Sequence, residues 1–448
     1  MRRPILVLLP LLLALPGIAQ ATNGYFTHGT SIKEKALAGT GVAYSQDTLA
    51  AANNPAGMVF QGGGYDIGAS VFNPNRSYSA QGISLPAGSA VPPPPNPPPF
   101  SVGDGDQSID SGSELFLIPQ FGYNWVLSDA ATIGVSVFGH GGMNTDYNGG
   151  VATLPSPGGT MVELPGTFGD GTAGVDLAQL FVSTTYARKF SKTASWGASL
   201  ILAYQQFEAK GLGNFAPFST DPSKLSNNGK DAGTGFGVRL GIQGEVASGL
   251  TLGAALQPEI DMSEFDDYSG LFAEKGDFDI PSNYTVGLAW DVTDSGTLLF
   301  DVQQINYSDV PAVSNPIAPL VNGSCSPTSS SGCLGGSSGA GFGWQDMTVV
   351  KLGYQWRASE DWTWRFGYSQ GDQPIPESEV LFNILAPGVM EQHVTAGFTK
   401  LLGGGELNFA FMVAPSNSVS GKNTFDPNQT IKLEMDQLEI SLGYGRRF

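Results

Sequence analysis

The chain has 448 residues and carries 40 acidic against 21 basic side chains, a formal charge of −19. That balance, with no clustered Lys and Arg, excludes a nucleic-acid partner, whose phosphates demand such clusters. Only 14% of residues are charged, below the about 25% of ordinary soluble proteins, yet mean hydropathy is only −0.03. Beyond the N-terminus no run approaches the roughly 20 apolar residues a membrane helix needs.

The chain opens with Met1-Arg2-Arg3, an apolar run from Ile5 to Ile18 broken by Pro10 and Pro16, and Ala19-Gln20-Ala21. A basic start, a short apolar core and an Ala-x-Ala end have the layout of a secretory signal peptide, so residues 1–21 are expected to be removed. Residues 22–60 show no alternation and are rich in small side chains, among them Gly39-Thr40-Gly41-Val42-Ala43 and Ala50-Ala51-Ala52-Asn53-Asn54-Pro55-Ala56-Gly57. Such a segment packs in a narrow space and makes a poor lipid-facing strand. Gly39 and Gly41 do not form a nucleotide loop, because no strand precedes them and no basic P-loop residue follows.

From residue 61 to the end the dominant pattern has period two. Leu438, Ile440, Leu442, Tyr444 and Phe448 share one face, and Glu439, Ser441, Gly443 and Gly445 share the other. Trp364 and Phe366 alternate with Arg365 and Gly367, and Tyr284, Val286, Leu288 and Trp290 with Thr285, Gly287 and Ala289. Strand side chains point alternately to opposite faces, so these segments have one apolar and one small or polar face. Aromatic residues gather beside short turns, as Trp125, Trp196, Trp290, Trp356 and Trp362 do, where an interfacial girdle would place them. Short turns alternate with long loops, which gives strands near 64–78, 113–127, 131–142, 174–190, 195–210, 233–246, 250–262, 281–291, 297–310, 345–357, 361–370, 391–401, 405–415 and 431–448. The expectation is an all-β chain, a 14-stranded antiparallel transmembrane β-barrel with short periplasmic turns and long outer loops.

The first long loop holds the proline run 92–99, expected to be stiff and polyproline-like. Cys325 and Cys333 lie in a Ser/Gly-rich stretch without a nearby histidine. A disulfide closing a small loop fits them better than a metal site, which wants four ligands. No metal or cofactor is expected.

The residues Gly39-x-Gly41-x-Ala43, Asp47 and Asn54-Pro55-Ala56, set before the first strand, resemble the FadL/TodX family of outer-membrane transporters for hydrophobic compounds. The resemblance implies that residues 22–60 are a hatch inside the lumen of a barrel formed by 61–448. It also implies a kink in the third strand that leaves a lateral opening, with the Asn54-Pro55-Ala56 element nearby. Gly139, Gly141 and Gly142 are the candidates for that kink, since strand glycines mark bulges and bends; simple loosening of the strand into its loop is the alternative.

Loops after the fifth and seventh strands carry Leu212, Phe215, Phe218, Leu225, Phe265, Leu271, Phe272 and Phe278, candidates for a surface groove that first captures an apolar ligand. Alternation puts Arg239, Lys351 and Arg365 on the lumen face. They could hold a carboxylate headgroup, or pair with lumen acids such as Glu245, Asp291 and Asp301. The expected partners are a hydrophobic small molecule such as a fatty acid, outer-membrane lipid and lipopolysaccharide, and the barrel-assembly machinery through Phe448, for a chain that is a monomer by family default. A lipid hydrolase would need a serine with a histidine base, and none of His28, His140 and His393 sits in a nucleophile motif. An open diffusion pore or an adhesin is the other alternative.

Overall fold

The computed structural model describes residues 23–91, 99–103, 105 and 107–448. The expected signal peptide and all but the end of the proline run lie outside the described residues. Fourteen antiparallel strands close into a ring: β1 (Gly64–Gln81), β2 (Phe116–Ser128), β3 (Ala131–Asn144), β4 (Gly174–Lys189), β5 (Ala194–Lys210), β6 (Asp231–Ala247), β7 (Leu250–Gln257), β8 (Asn283–Thr293), β9 (Gly296–Ile305), β10 (Met347–Arg357), β11 (Trp362–Gly371), β12 (Gln392–Leu402), β13 (Gly405–Asn423) and β14 (Asp426–Arg447). Each strand pairs with its sequence neighbours, and β14 closes on β1 from Arg447 opposite Gly64 to Thr430 opposite Gln81. Closure leaves the ring without a terminal edge strand, as strands that cross lipid require.

The period-two pattern becomes two chemically distinct faces. Leu200, Phe236, Ile242 and Leu252 are exposed on the outer wall, while Ser199, Arg239 and Gln243 are buried inside. Trp125, Trp196, Trp290 and Trp356 stand exposed near the short turns. No helix among the described residues is long and apolar enough to cross a membrane, so the exposed apolar band of the strands is what faces lipid.

Four strand boundaries differ most from the sequence reading. β7 stops at Gln257 instead of reaching residue 262, because Pro258 follows and proline lacks the N–H a ladder needs. β9 ends at Ile305, not residue 310. Residues 416–430, expected as a loop, continue β13 and β14 into a hairpin that turns between Asn423 and Asp426. Their Ser, Asn and Lys content reads as loop, but a ladder clear of the bilayer needs no apolar face. Asp426 ties the hairpin tip down, accepting from Ser84 N at 2.9 Å and Ser101 Oγ at 2.6 Å. Among the long loops, Ser101–Val102, Val151–Pro155 and Met161–Pro165 form a small sheet of their own.

Candidate functional site: a filled lumen, a break in the wall and two cavities

Asn23 to Val59 are almost wholly buried among inward-facing side chains of the wall. Ser31 and Glu34 form a capping box on the short helix Ile32–Lys35, which satisfies two otherwise orphaned N–H groups and points two lysines at the wall. Lys33 Nζ meets Glu406 at 2.6 Å on β13, and Lys35 Nζ meets Glu439 at 2.7 Å on β14, the latter pair 3% exposed on both sides. Asp301 on β9 accepts from Gly41 N at 2.8 Å and Val42 N at 3.1 Å. Gln355 on β10 donates to the Tyr44 hydroxyl at 2.7 Å, and Arg365 on β11 donates to Gln46 Oε1 at 2.9 Å.

Small residues on the wall match those of the segment. A Cβ at Gly197, Gly241 or Gly253 would run into Pro55, Asn54 or Val42, and one at Gly367 into Leu37. Asn54 fixes its own turn: Oδ1 accepts from Ala56 N at 3.0 Å, and Nδ2 donates to Val42 O at 2.6 Å and Ile242 O at 3.1 Å. Ser195 Oγ donates to Ala56 O at 2.7 Å. The Asn54-Pro55-Ala56 element therefore rests on β5 and β6, and Ala52 and Asn53 just before it share a cavity lining with Phe138 and His140 of β3. Against the third-strand glycines themselves lies Tyr25-Phe26-Thr27.

The wall is interrupted between β2 and β3. Their ladder runs from Ser128 opposite Ala131 to Gln120 opposite Phe138 and stops there. Phe116–Pro119 on β2 still pair with β1, and Gly139–Asn144 on β3 still pair with β4 through a register shift between Gly139 and Gly141. Pro119 begins the separated stretch of β2 and cannot donate to a ladder. The edge of β3 that β2 leaves is taken by the N-terminal segment instead: Thr27 N donates to His140 O at 3.2 Å, Gly142 N to Tyr25 O at 3.0 Å, and Phe26 bridges to Gly141. The His140 ring lies flat on Phe181 at 4.1 Å and edge-on to Phe26 at 4.3 Å.

Above this break Tyr25 reaches the long loops. The Tyr307 hydroxyl donates to Asn23 O at 2.5 Å and accepts from Tyr25 N at 3.2 Å. Trp344 and Phe278 stand against the Tyr25 ring at 5.9 and 6.1 Å. Phe278 is flanked by Asp277 and Asp279. Burial, and then the neighbouring Asp279, pushes the Asp277 carboxyl up to about 7; burial raises Asp279 to about 6.

The loops surround a tight apolar cavity of about 30 Å³ walled by Leu212, Phe215, Leu271 and Phe272 together with Leu334, Phe342 and Phe382, with no charged residue in its lining. Four of the groove residues expected from sequence thus meet here. Phe218 packs instead on Phe425 at the hairpin tip, and Phe265 lies fully buried against Phe207 and Phe272. Phe342 and Phe382 come from loops whose apolar residues sequence reading passed over. Cys325 and Cys333 are joined in a disulfide, and just after it Leu334 N donates to Phe218 O at 2.9 Å, which holds Leu334 over the cavity.

A second cavity, of about 50 Å³, lies between the segment and the wall, with Glu34 in its lining. Arg239 and Lys351 reach it, and so do His140, Gln257 and Asn283. Arg239 Nη2 donates to Gln257 Oε1 at 2.7 Å, and Lys351 Nζ lies 3.5 Å from the carbonyls of His28 and Gly39. Among the described residues no ion pair within 4.0 Å joins these cations to the named acids, although Asp301 stands opposite Lys351 across the β9–β10 ladder. Glu245 accepts from Gly249 N, Asp291 from Thr297 and Asp301 from Gly41 and Val42. Arg365 is in neither cavity, being taken up by Gln46 and by Thr399. His393 touches Ser369 Oγ at 3.1 Å, but the two are 0% and 1% exposed.

Comparison with known proteins agrees with this architecture. The chain resembles the structure of the Pseudomonas putida toluene transporter TodX (16% identity, 94% of this chain and 99% of that one, TM-score 0.63). It also resembles a Pseudomonas aeruginosa FadL homologue (13%, 95% and 100%, 0.65) and the Ralstonia pickettii toluene transporter TbuX (17%, 94% and 99%, 0.57). At such identities the likeness carries the fold alone. No curated protein matches by sequence. The model of the outer-membrane transport family OMPP1/FadL/TodX matches residues 18–400. The chain therefore belongs to the OMPP1/FadL/TodX family of outer-membrane transport proteins, a family of transporters and not of enzymes.

Proposed function

We propose that this protein takes up hydrophobic compounds across the outer membrane by stepwise binding, with Asn23–Phe60 as a hatch and the break between β2 and β3 as a lateral exit. The observation that carries the reading is the wall itself: β2 and β3 separate at Phe138, and the edge so freed bonds to Tyr25–Thr27 of the hatch. A wall whose strands part beside the hatch has a use for cargo that prefers lipid to water. An apolar compound gains about 0.8 kcal/mol per buried methylene, so it is captured in the loop cavity and leaves sideways into the bilayer without crossing a watery bore.

The capture step is tested by replacing Phe215 and Phe272 with alanine. Both rings wall the loop cavity, and the double variant is expected to weaken binding of an apolar ligand by about tenfold or more, roughly 1.4 kcal/mol, with the barrel still folded. Unchanged affinity, followed by Trp fluorescence in detergent, would remove the loop cavity from the path. A diffusion pore is the competing reading, and the packed lumen speaks against it.

A further inference from the structure

Four loops wall the apolar cavity: the loop after β5 through Phe215, the loop after β7 through Phe272, the loop after β9 through Leu334 and Phe342, and the loop after β11 through Phe382. They leave the barrel between different strands, so contacts among the loops set their spacing. The loop after β9 makes such contacts on both sides of its disulfide. On the Cys333 side, Leu334 N donates to Phe218 O and Thr220 N to Leu334 O, each at 2.9 Å, which binds the loop after β5. Gly335 N donates to Leu271 O at 3.3 Å and Glu274 N to Gly336 O at 2.9 Å, which binds the loop after β7. On the Cys325 side, Cys325 N donates to Pro319 O at 3.1 Å, and Ile317 N to the Glu379 carboxylate at 2.9 Å. Glu379 lies in the loop after β11, one turn before Phe382.

The chain between the cysteines is Ser326-Pro327-Thr328-Ser329-Ser330-Ser331-Gly332, largely exposed. With so little apolar surface it has almost nothing to bury, and burial does not hold it. The disulfide supplies the tie that packing withholds, because closing a loop removes alternative arrangements of its ends. Through that one bond the anchor at Glu379 and the anchors at Phe218, Leu271 and Glu274 become parts of a single wall. A wall already held in place spends less of its binding energy on ordering itself around a ligand.

Resting on the capture reading above, we infer that the Cys325–Cys333 disulfide is a positioning element of the capture site, tying the loops after β5, β7 and β11 around the apolar cavity. Cells expressing the full chain are given radiolabelled naphthalene, and initial uptake is measured against concentration. Cys325→Ser with Cys333→Ser is expected to raise half-saturation at least fivefold and to leave the maximal rate within twofold. A simple loss of folded protein would do the reverse, lowering the maximum at unchanged half-saturation. Treating the folded, unaltered protein with a phosphine reductant should reproduce the shift, and the double serine variant should not respond to it. Unchanged half-saturation after both treatments, while Phe215→Ala with Phe272→Ala raises it, overturns the inference and leaves capture at the loops standing. If the phenylalanine variant does not raise it either, or if naphthalene enters no faster than in cells without the protein, the capture reading fails too.

Discussion

Replacing Gly139 and Gly142 by leucine should cut uptake of a hydrophobic compound at least about tenfold while the barrel stays folded and ligand capture at the loops persists. Gly139 flanks the register shift of β3 and Gly142 follows it, on the stretch that β2 has left. Leucine adds four carbons at each place, enough bulk to fill a passage the width of one ring. The readout separates the effects: ligand binding to the detergent-purified protein reports the loop cavity, and uptake into liposomes reports the exit. Normal uptake by the double variant would move the exit elsewhere.

Deleting residues 22–57 should have the opposite electrical consequence. A fourteen-stranded wall is wide enough to leave a watery bore once emptied, as wider barrels do. Steady conductance in planar bilayers is expected to rise at least about tenfold over the intact chain. A gentler variant, Lys35→Ala, leaves Glu439 buried without its cation, a loss on the order of 3–5 kcal/mol for a buried pair, and should produce brief openings. If both variants stay as silent as the unaltered chain, the segment is not what blocks the lumen.

The barrel was legible because a strand between lipid and lumen must alternate, and Leu438-Glu439-Ile440-Ser441 shows that alternation without reference to any other part of the chain. The same rule put Arg239, Lys351 and Arg365 inside. It could not say what they face: Arg239 meets Gln257 on the next strand, whereas Gln46 for Arg365 and the backbone carbonyls of His28 and Gly39 for Lys351 come from segments hundreds of positions away. Nor does local sequence show that Tyr25–Thr27 stands in for β2 beside Gly141, a contact between two segments that are both irregular. Gly139 and Gly141 flank the register shift of β3. The groove was half visible: Phe215 and Phe272 sit in apolar stretches of polar loops, whereas Phe342 lies among Gly and Ser and Phe382 in the apolar run Val380-Leu381-Phe382-Asn383-Ile384-Leu385 of a distant loop, and only the fold brings them to the same cavity.

The central claim is sideways release between β2 and β3. It is tested most directly with a photoreactive arene, such as an aryl azide, taken up by cells expressing the protein, irradiated, and located by peptide mass spectrometry. Adducts are predicted on the two rims of the break, at Phe116–Pro119 and Phe138–Met143, and on Tyr25 and Phe26. Adducts confined to the short-turn end, near residues 61–63 and 403–405, with none on the rims, would mean that cargo runs straight down the lumen and would contradict it.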